Sequence, residues 1–158
     1  MICTKKRLRL CFTLLVLNLL FIWGNSMLPG PQSAALSTWV KGILIKPFSW
    51  LFGSSGIGGG GGGLLRKVTH FAEFASLGVY LSWLFGMLLK KPVRFALSAL
   101  GTGLIVALID EGIQIFVPER GPSIRDVGID TMGLTLSIVT ICLIQICKKS
   151  KILEEYKG

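Results

Sequence analysis

A chain of 158 residues that is 51% hydrophobic and only 16% charged, with a mean hydropathy of +0.67, is too apolar for an ordinary soluble domain. Its net charge of +9 would suit nucleic acid in a soluble protein, but the basic residues here gather at the ends of apolar runs. That pattern excludes nucleic acid as the partner and predicts an all-α, multi-pass bundle in which residues 1–158 form one membrane domain.

The first apolar run, Leu8 to Trp23, follows Lys5, Lys6, Arg7 and Arg9. A basic stretch before an apolar one also opens secretory signals. Here Pro29 and Pro31 stand before the small residues Ser33, Ala34 and Ala35, so an uncleaved first span is expected over about 8–27. Trp23 suits an anchor at the interface. The stretch GNSMLPGPQSAALS that follows is rich in turn formers and reads as a loop. Residues 34–52 mix Trp39, Phe48, Trp50 and Phe52 with Lys41 and Lys46 and are broken by Gly42 and Pro47, which suits a segment lying on the membrane surface. The glycines of 53–63 would lose too much backbone entropy in regular structure and read as a flexible tether. They lack the lysine and hydroxyl spacing of a phosphate-cradling loop.

The second span is expected over about 69–89. Arg66 and Lys67 before it suit lipid headgroups. His70 and Glu73, three residues apart, share a helical face, and Ala72, Ala75, Ser76 and Gly78 permit close helix contact. Pro92 stops the helix, and the third span follows over about 94–117. Asp110 should lie about 23 Å above its inner end at ~1.5 Å per residue, in the outer third of the bilayer. Gln114 shares a face with both Asp110 and Glu111, Gly101 and Gly103 permit close contact, and Pro118 ends the span. The motif ERGPSIRD then makes a tight turn, and Asp126 sits near the start of a fourth span at about 127–147, where a carboxylate favours the helix dipole. Asp130 follows on the same face. Cys3, Cys11, Cys142 and Cys147 match no zinc spacing and read as small apolar filler.

Lys5 to Arg9, then Lys90, Lys91 and Arg94, and finally Lys148, Lys149, Lys151 and Lys157 mark the cytoplasmic ends, which predicts that both termini are inside. This topology brings polar groups from three helices to one depth near the outer face: His70 and Glu73; Asp110, Glu111 and Gln114; Arg120, Arg125, Asp126 and Asp130. Charge within a bilayer costs at least a few kcal/mol per group unless paired or hydrated, so such a gathering suggests a site.

At these residues the chain resembles the VanZ-like family, named for a teicoplanin-resistance protein. The likeness is carried by GNSMLPGPQSAALS, by RKVTHFAEFASLG with His70, Phe71, Glu73 and Phe74, and by DEGIQIFVPERGPSIRDVGIDTMG with Asp110, Glu111, Gln114, Arg120 and Asp126. Where the family usually has Asn, this chain has Asp130, which adds an acid; the glycine tract lies outside the likeness. The resemblance implies a small polytopic protein of the bacterial cell membrane, in some members linked to resistance to lipid-bearing glycopeptide antibiotics. It supplies no reaction and no cofactor.

Two functional readings follow. In the first, the nine residues bind a membrane lipid, a lipid-linked envelope precursor or a lipidated antibiotic, with Arg120 and Arg125 gripping phosphate or carboxylate through bidentate bonds. In the second, the protein is an intramembrane hydrolase or transferase in which Asp110 or Glu111 acts as general base and His70 exchanges protons, or in which the carboxylates and His70 hold a divalent cation. No complete nucleophile motif and no HExxH-type ligand spacing supports the second. A purely structural reading has the groups satisfying one another, for example Asp126 with Arg125 or Glu73 with Arg120.

Overall fold

Runs rich in Leu, Ile, Val and Phe, with no proline inside them, have their backbone polar groups satisfied within the segment, and each run forms a helix. The computed structural model describes residues 5–32, 35, 63–89 and 91–155, with helices α1 (Lys5–Ser26), α2 (Gly63–Leu88), α3 (Pro92–Gln114) and α4 (Ile124–Glu155) and, among these residues, no strand. All four helices are long and apolar enough to cross a membrane, over 22 to 25 residues each against the ~20 that a hydrocarbon core requires. The expected surface segment at 34–52 lies outside the described residues except for Ala35, and so does the glycine tether apart from Gly63.

The helix ends follow local chemistry. Pro92 does more than stop the preceding helix: it occupies the first turn of α3, where its fixed φ and missing N–H cost nothing. At the other end α3 stops at Gln114, ahead of the expected 117, because Pro118 cannot continue a helix and disfavours helical geometry in the residue before it. Tight bonds from Phe116 to Ile113 and from Val117 to Gln114 lead the chain into the turn. Glu119 there has φ 60°, and the Gly30 backbone approaches it so closely that a Cβ on Gly30 would stand 3.1 Å from its carbonyl oxygen.

Helix α2 touches the other three helices, and its largest contact is with α4. Glycines set this seam. A Cβ on Gly133 would collide with the backbone carbonyl of Phe71, and one on Gly78 would collide with the Ser137 hydroxyl and the Leu134 carbonyl. Gly103 leaves room for the Leu134 side chain, whereas Gly101 faces open space. The core is a column of Leu15, Ile22, Phe74, Leu77, Leu81, Val106, Leu134 and Ile138, together with Ala99 and Ala107. Trp23 is partly buried and packs against this column. Large apolar side chains such as Phe21, Leu97 and Leu108 point outward, each more than half exposed. Spread over every helix, such a surface suits lipid rather than water.

Candidate functional site

At the end of the bundle where α1 and α3 finish and α2 and α4 begin, the apolar column gives way to a buried polar cluster. Each helix contributes one face. The last turn of α1 brings Asn25 and Ser26; α2 brings Arg66, His70 and Glu73 at spacings of four and three; α3 brings Asp110, Glu111 and Gln114; α4 brings Asp126 and Asp130. Asp110, Gln114 and Asp130 are wholly buried and His70 is 2% exposed, as deep as the core leucines.

Hydrogen bonds link the helices in a chain. Ser26 Oγ donates to Asp110 Oδ2 at 2.7 Å and accepts from Gln114 Nε2 at 3.2 Å, and Gln114 Nε2 also reaches Asp110 Oδ2 at 3.1 Å. Arg66 Nη2 extends this chain outward, donating to Gln114 Oε1 at 2.7 Å and to Asp126 Oδ2 at 3.2 Å. On the opposite side Asn25 Nδ2 donates to Glu73 Oε1 at 2.7 Å, and deeper along the same two helices Asn18 Nδ2 donates to Ser76 Oγ. Arg120 folds back from the turn and donates to the Ser26 carbonyl at 3.2 Å. Burial lowers the Arg120 pKa, with Arg66 adding to the effect and Asp110, Glu73 and Asp126 opposing it. A guanidinium starts so high that it stays a cation.

Glu111 has a different task. Ser123 immediately precedes α4, and Asp126 stands three residues on, the spacing at which an acid usually reaches back to the capping residue's amide. Here Glu111 Oε2 takes that amide at 2.6 Å, so Asp126 is free to pair with Arg66.

Not every polar atom is satisfied. His70 Nδ1 lies 3.3 Å from Asp130 Oδ1 and 3.9 Å from Asp110 Oδ2, too far or too poorly aligned for hydrogen bonds. Both carboxylate oxygens of Asp130, Oδ1 of Asp110 and Oε2 of Glu73 are buried without a hydrogen-bond partner among the described residues. Five carboxylates are buried here, those of Glu73, Asp110, Glu111, Asp126 and Asp130, beside the guanidinium groups of Arg66 and Arg120.

Of the nine residues expected to form a site, eight are buried at this end of the bundle: His70, Glu73, Asp110, Glu111, Gln114, Arg120, Asp126 and Asp130. Arg125 is exposed, and Asp126 pairs with Arg66 rather than with it. Arg66, expected among lipid headgroups, instead turns inward onto Gln114 and Asp126. Its position four residues before His70 and seven before Glu73 is the signal that places it on their face. Asn25 and Ser26 lie in the stretch GNSMLPGPQSAALS, read from the sequence as loop and not as part of the site. A groove between α2 and α4, lined by Val79, Trp83, Gly86 and Ile141, is apolar and lies about 14 to 24 Å along α2 from His70 at ~1.5 Å per residue, so it is no part of this cluster.

The fold and the buried cluster define a multi-pass helical membrane protein whose polar groups converge at one end. The sequence model of the VanZ/LLP1 family matches residues 10–145, and the chain belongs to that family. No curated protein and no solved structure shows significant similarity to it.

Proposed function

We propose that this protein lies in the bacterial cell membrane with both termini in the cytoplasm and uses the polar cluster, then at the outer leaflet, to bind the head of a lipid-bearing envelope molecule. The ligand class is a lipid-linked envelope precursor or a lipidated glycopeptide, and in the latter case binding contributes to teicoplanin-type resistance. One observation carries this reading: a polar cluster drawn from all four helices sits beside an apolar flank, with Phe116 86% and Ile124 83% exposed next to the turn. A ligand with a polar head and an acyl chain matches both surfaces. Arg66 and Arg120 provide the cations for phosphate or carboxylate. The basic stretches at Lys5 to Arg9, at Lys91 and Arg94, and after Cys147 lie at the opposite end, which supports the orientation.

The hydrolase or transferase reading has less support. Ser26 Oγ bonds to Asp110, and among the described residues no serine or cysteine is hydrogen-bonded to His70, so no nucleophile is aligned with the base.

The test compares cells carrying the intact protein, the Asp110→Asn variant at equal abundance, and an empty vector, each challenged with a lipidated and a non-lipidated glycopeptide. Protection by the intact form, confined to the lipidated drug and weakened in the variant, is expected. Equal susceptibility of all three strains to both drugs removes the resistance reading.

A further inference from the structure

We propose that His70, Asp110 and Asp130 hold a divalent first-row transition ion, of the Mn²⁺ or Zn²⁺ class, at the centre of the polar cluster. The proposal deepens the reading of this cluster as a ligand site and gives its ligand a definite anchor.

Geometry comes first. One donor atom from each of the three residues lies within 4.8 Å of those of the other two, and all three residues are buried. Donors about 2.1 Å from a tetrahedral ion stand about 3.4 Å from one another. The His70 Nδ1 separations of 3.3 Å from Asp130 and 3.9 Å from Asp110 straddle that value. Both Asp130 oxygens are buried without a hydrogen-bond partner among the described residues, and they lie on the side of His70 Nδ1.

Charge gives the second argument. Five buried carboxylates face two arginines. The hydrogen bonds of the arginines run toward the turn, to Asp126, Gln114 and the Ser26 carbonyl, while the His70 imidazole lies against both Asp110 and Asp130. A buried pair of carboxylates without a cation is costly, and a dication at their midpoint offsets it. The surroundings also orient the donors. Ser26 and Gln114 both hold Oδ2 of Asp110, the kind of outer support that metal-bound carboxylates carry. One imidazole nitrogen among oxygen donors favours Mn²⁺ or Zn²⁺ over Ca²⁺ or Mg²⁺. Three protein donors leave open positions, which a phosphate or carboxylate oxygen of a lipid headgroup can fill.

The experiment uses the full chain, purified in detergent, stripped with chelator and titrated with Mn²⁺ while the free-ion electron paramagnetic resonance signal is followed. One saturable Mn²⁺ per chain, displaced by Zn²⁺ and not by Mg²⁺, is expected. Asp130→Asn and His70→Gln should weaken binding at least tenfold, whereas Glu119→Gln, which removes an exposed acid from the neighbouring turn, should bind as the intact chain does. Circular dichroism and thermal unfolding of the metal-free variants identify a loss that comes from misfolding. Metal-free Asp130→Asn should unfold no earlier than the intact chain, because it removes a buried charge. Absence of saturable binding by the folded protein, which is the result if protons alone neutralise the acids, overturns the proposal. Binding that survives in folded Asp130→Asn also overturns it. Ion binding without drug protection would defeat the resistance reading alone, and drug protection without ion binding would defeat the metal site alone.

Discussion

Glu111 Oε2 accepts the backbone amide hydrogen of Ser123 at 2.6 Å, so the last turn of α3 caps the first turn of α4 across the ERGPS turn. One of the two acids read from the sequence as a candidate general base is thus occupied as a backbone acceptor. What matters for this contact is a hydrogen-bond acceptor, not a charge. Glu111→Gln should keep the bond and change stability by less than about 1 kcal/mol, whereas Glu111→Ala strands a half-buried amide and should cost ~1 to 3 kcal/mol. Thermal unfolding of both variants in the same detergent checks this, and equal destabilisation of the two would mean that the charge itself is needed.

Arg66 and Asp126 form the ion pair nearest the end of the bundle, at 3.2 Å with side chains 29% and 12% exposed. Partial solvation weakens such a pair, so its coupling should be modest, about 1 kcal/mol in a double-mutant cycle of Arg66→Gln with Asp126→Asn. Salt should reduce it further. Additive single effects in low salt would show that the two side chains are neighbours without energetic consequence.

Ser26 is the link between α1 and α3, since its hydroxyl donates to Asp110 and accepts from Gln114. Ser26→Ala leaves a wholly buried carboxylate with one donor fewer. A hydrogen bond to a charged group is worth ~1.5 to 3 kcal/mol, and the loss should appear as a lower unfolding temperature. Ser26→Thr keeps the hydroxyl and should recover most of it. If alanine and threonine behave alike, the hydroxyl is not what holds α1 to α3.

The four helices and the gathering of the acids at one end of the bundle were legible because hydropathy and helical rise alone set them. Asp110, Glu73 and Asp130 stand out in apolar runs, and a charge there needs a reason. The neutral partners were not legible. Asn25 and Ser26 sit at the end of a span, where small polar residues are unremarkable, and only the packing of α1 against α2 and α3 directs them onto Glu73 and Asp110. Arg66 was misplaced for a related reason. A basic residue before a span suits headgroups equally well, and the rotation of α2 about its axis decides where its long side chain goes. The early end of α3 follows from Pro118, which has no N–H for the Gln114 carbonyl four residues earlier and whose ring clashes with it, and this shifts a boundary that hydropathy puts later.

The seam between α2 and α4 carries the sharpest packing prediction, because it holds His70 beside Asp130. At Gly133 an added methyl meets the Phe71 carbonyl, backbone that cannot rotate away, with the Ala75 amide nitrogen 3.2 Å off on the same side. At Gly101 the same methyl meets nothing within 4 Å. Gly133→Ala should therefore force α2 and α4 apart and cost ~1 to 3 kcal/mol, as overpacking of a close contact does. Gly101→Ala should be neutral, or stabilising by up to ~1 kcal/mol through helix propensity. Because Phe71 follows His70 directly, the displaced seam also widens the gap to Asp130, and Gly133→Ala should disturb the polar cluster although it adds no charge and removes no donor. Unfolding temperatures of the two variants separate the packing effect. The His70 imidazole resonances, followed by NMR in detergent, should shift in Gly133→Ala and stay in place in Gly101→Ala. Matching spectra for the two variants would mean that α4 yields elsewhere and that the seam does not set the spacing of the site.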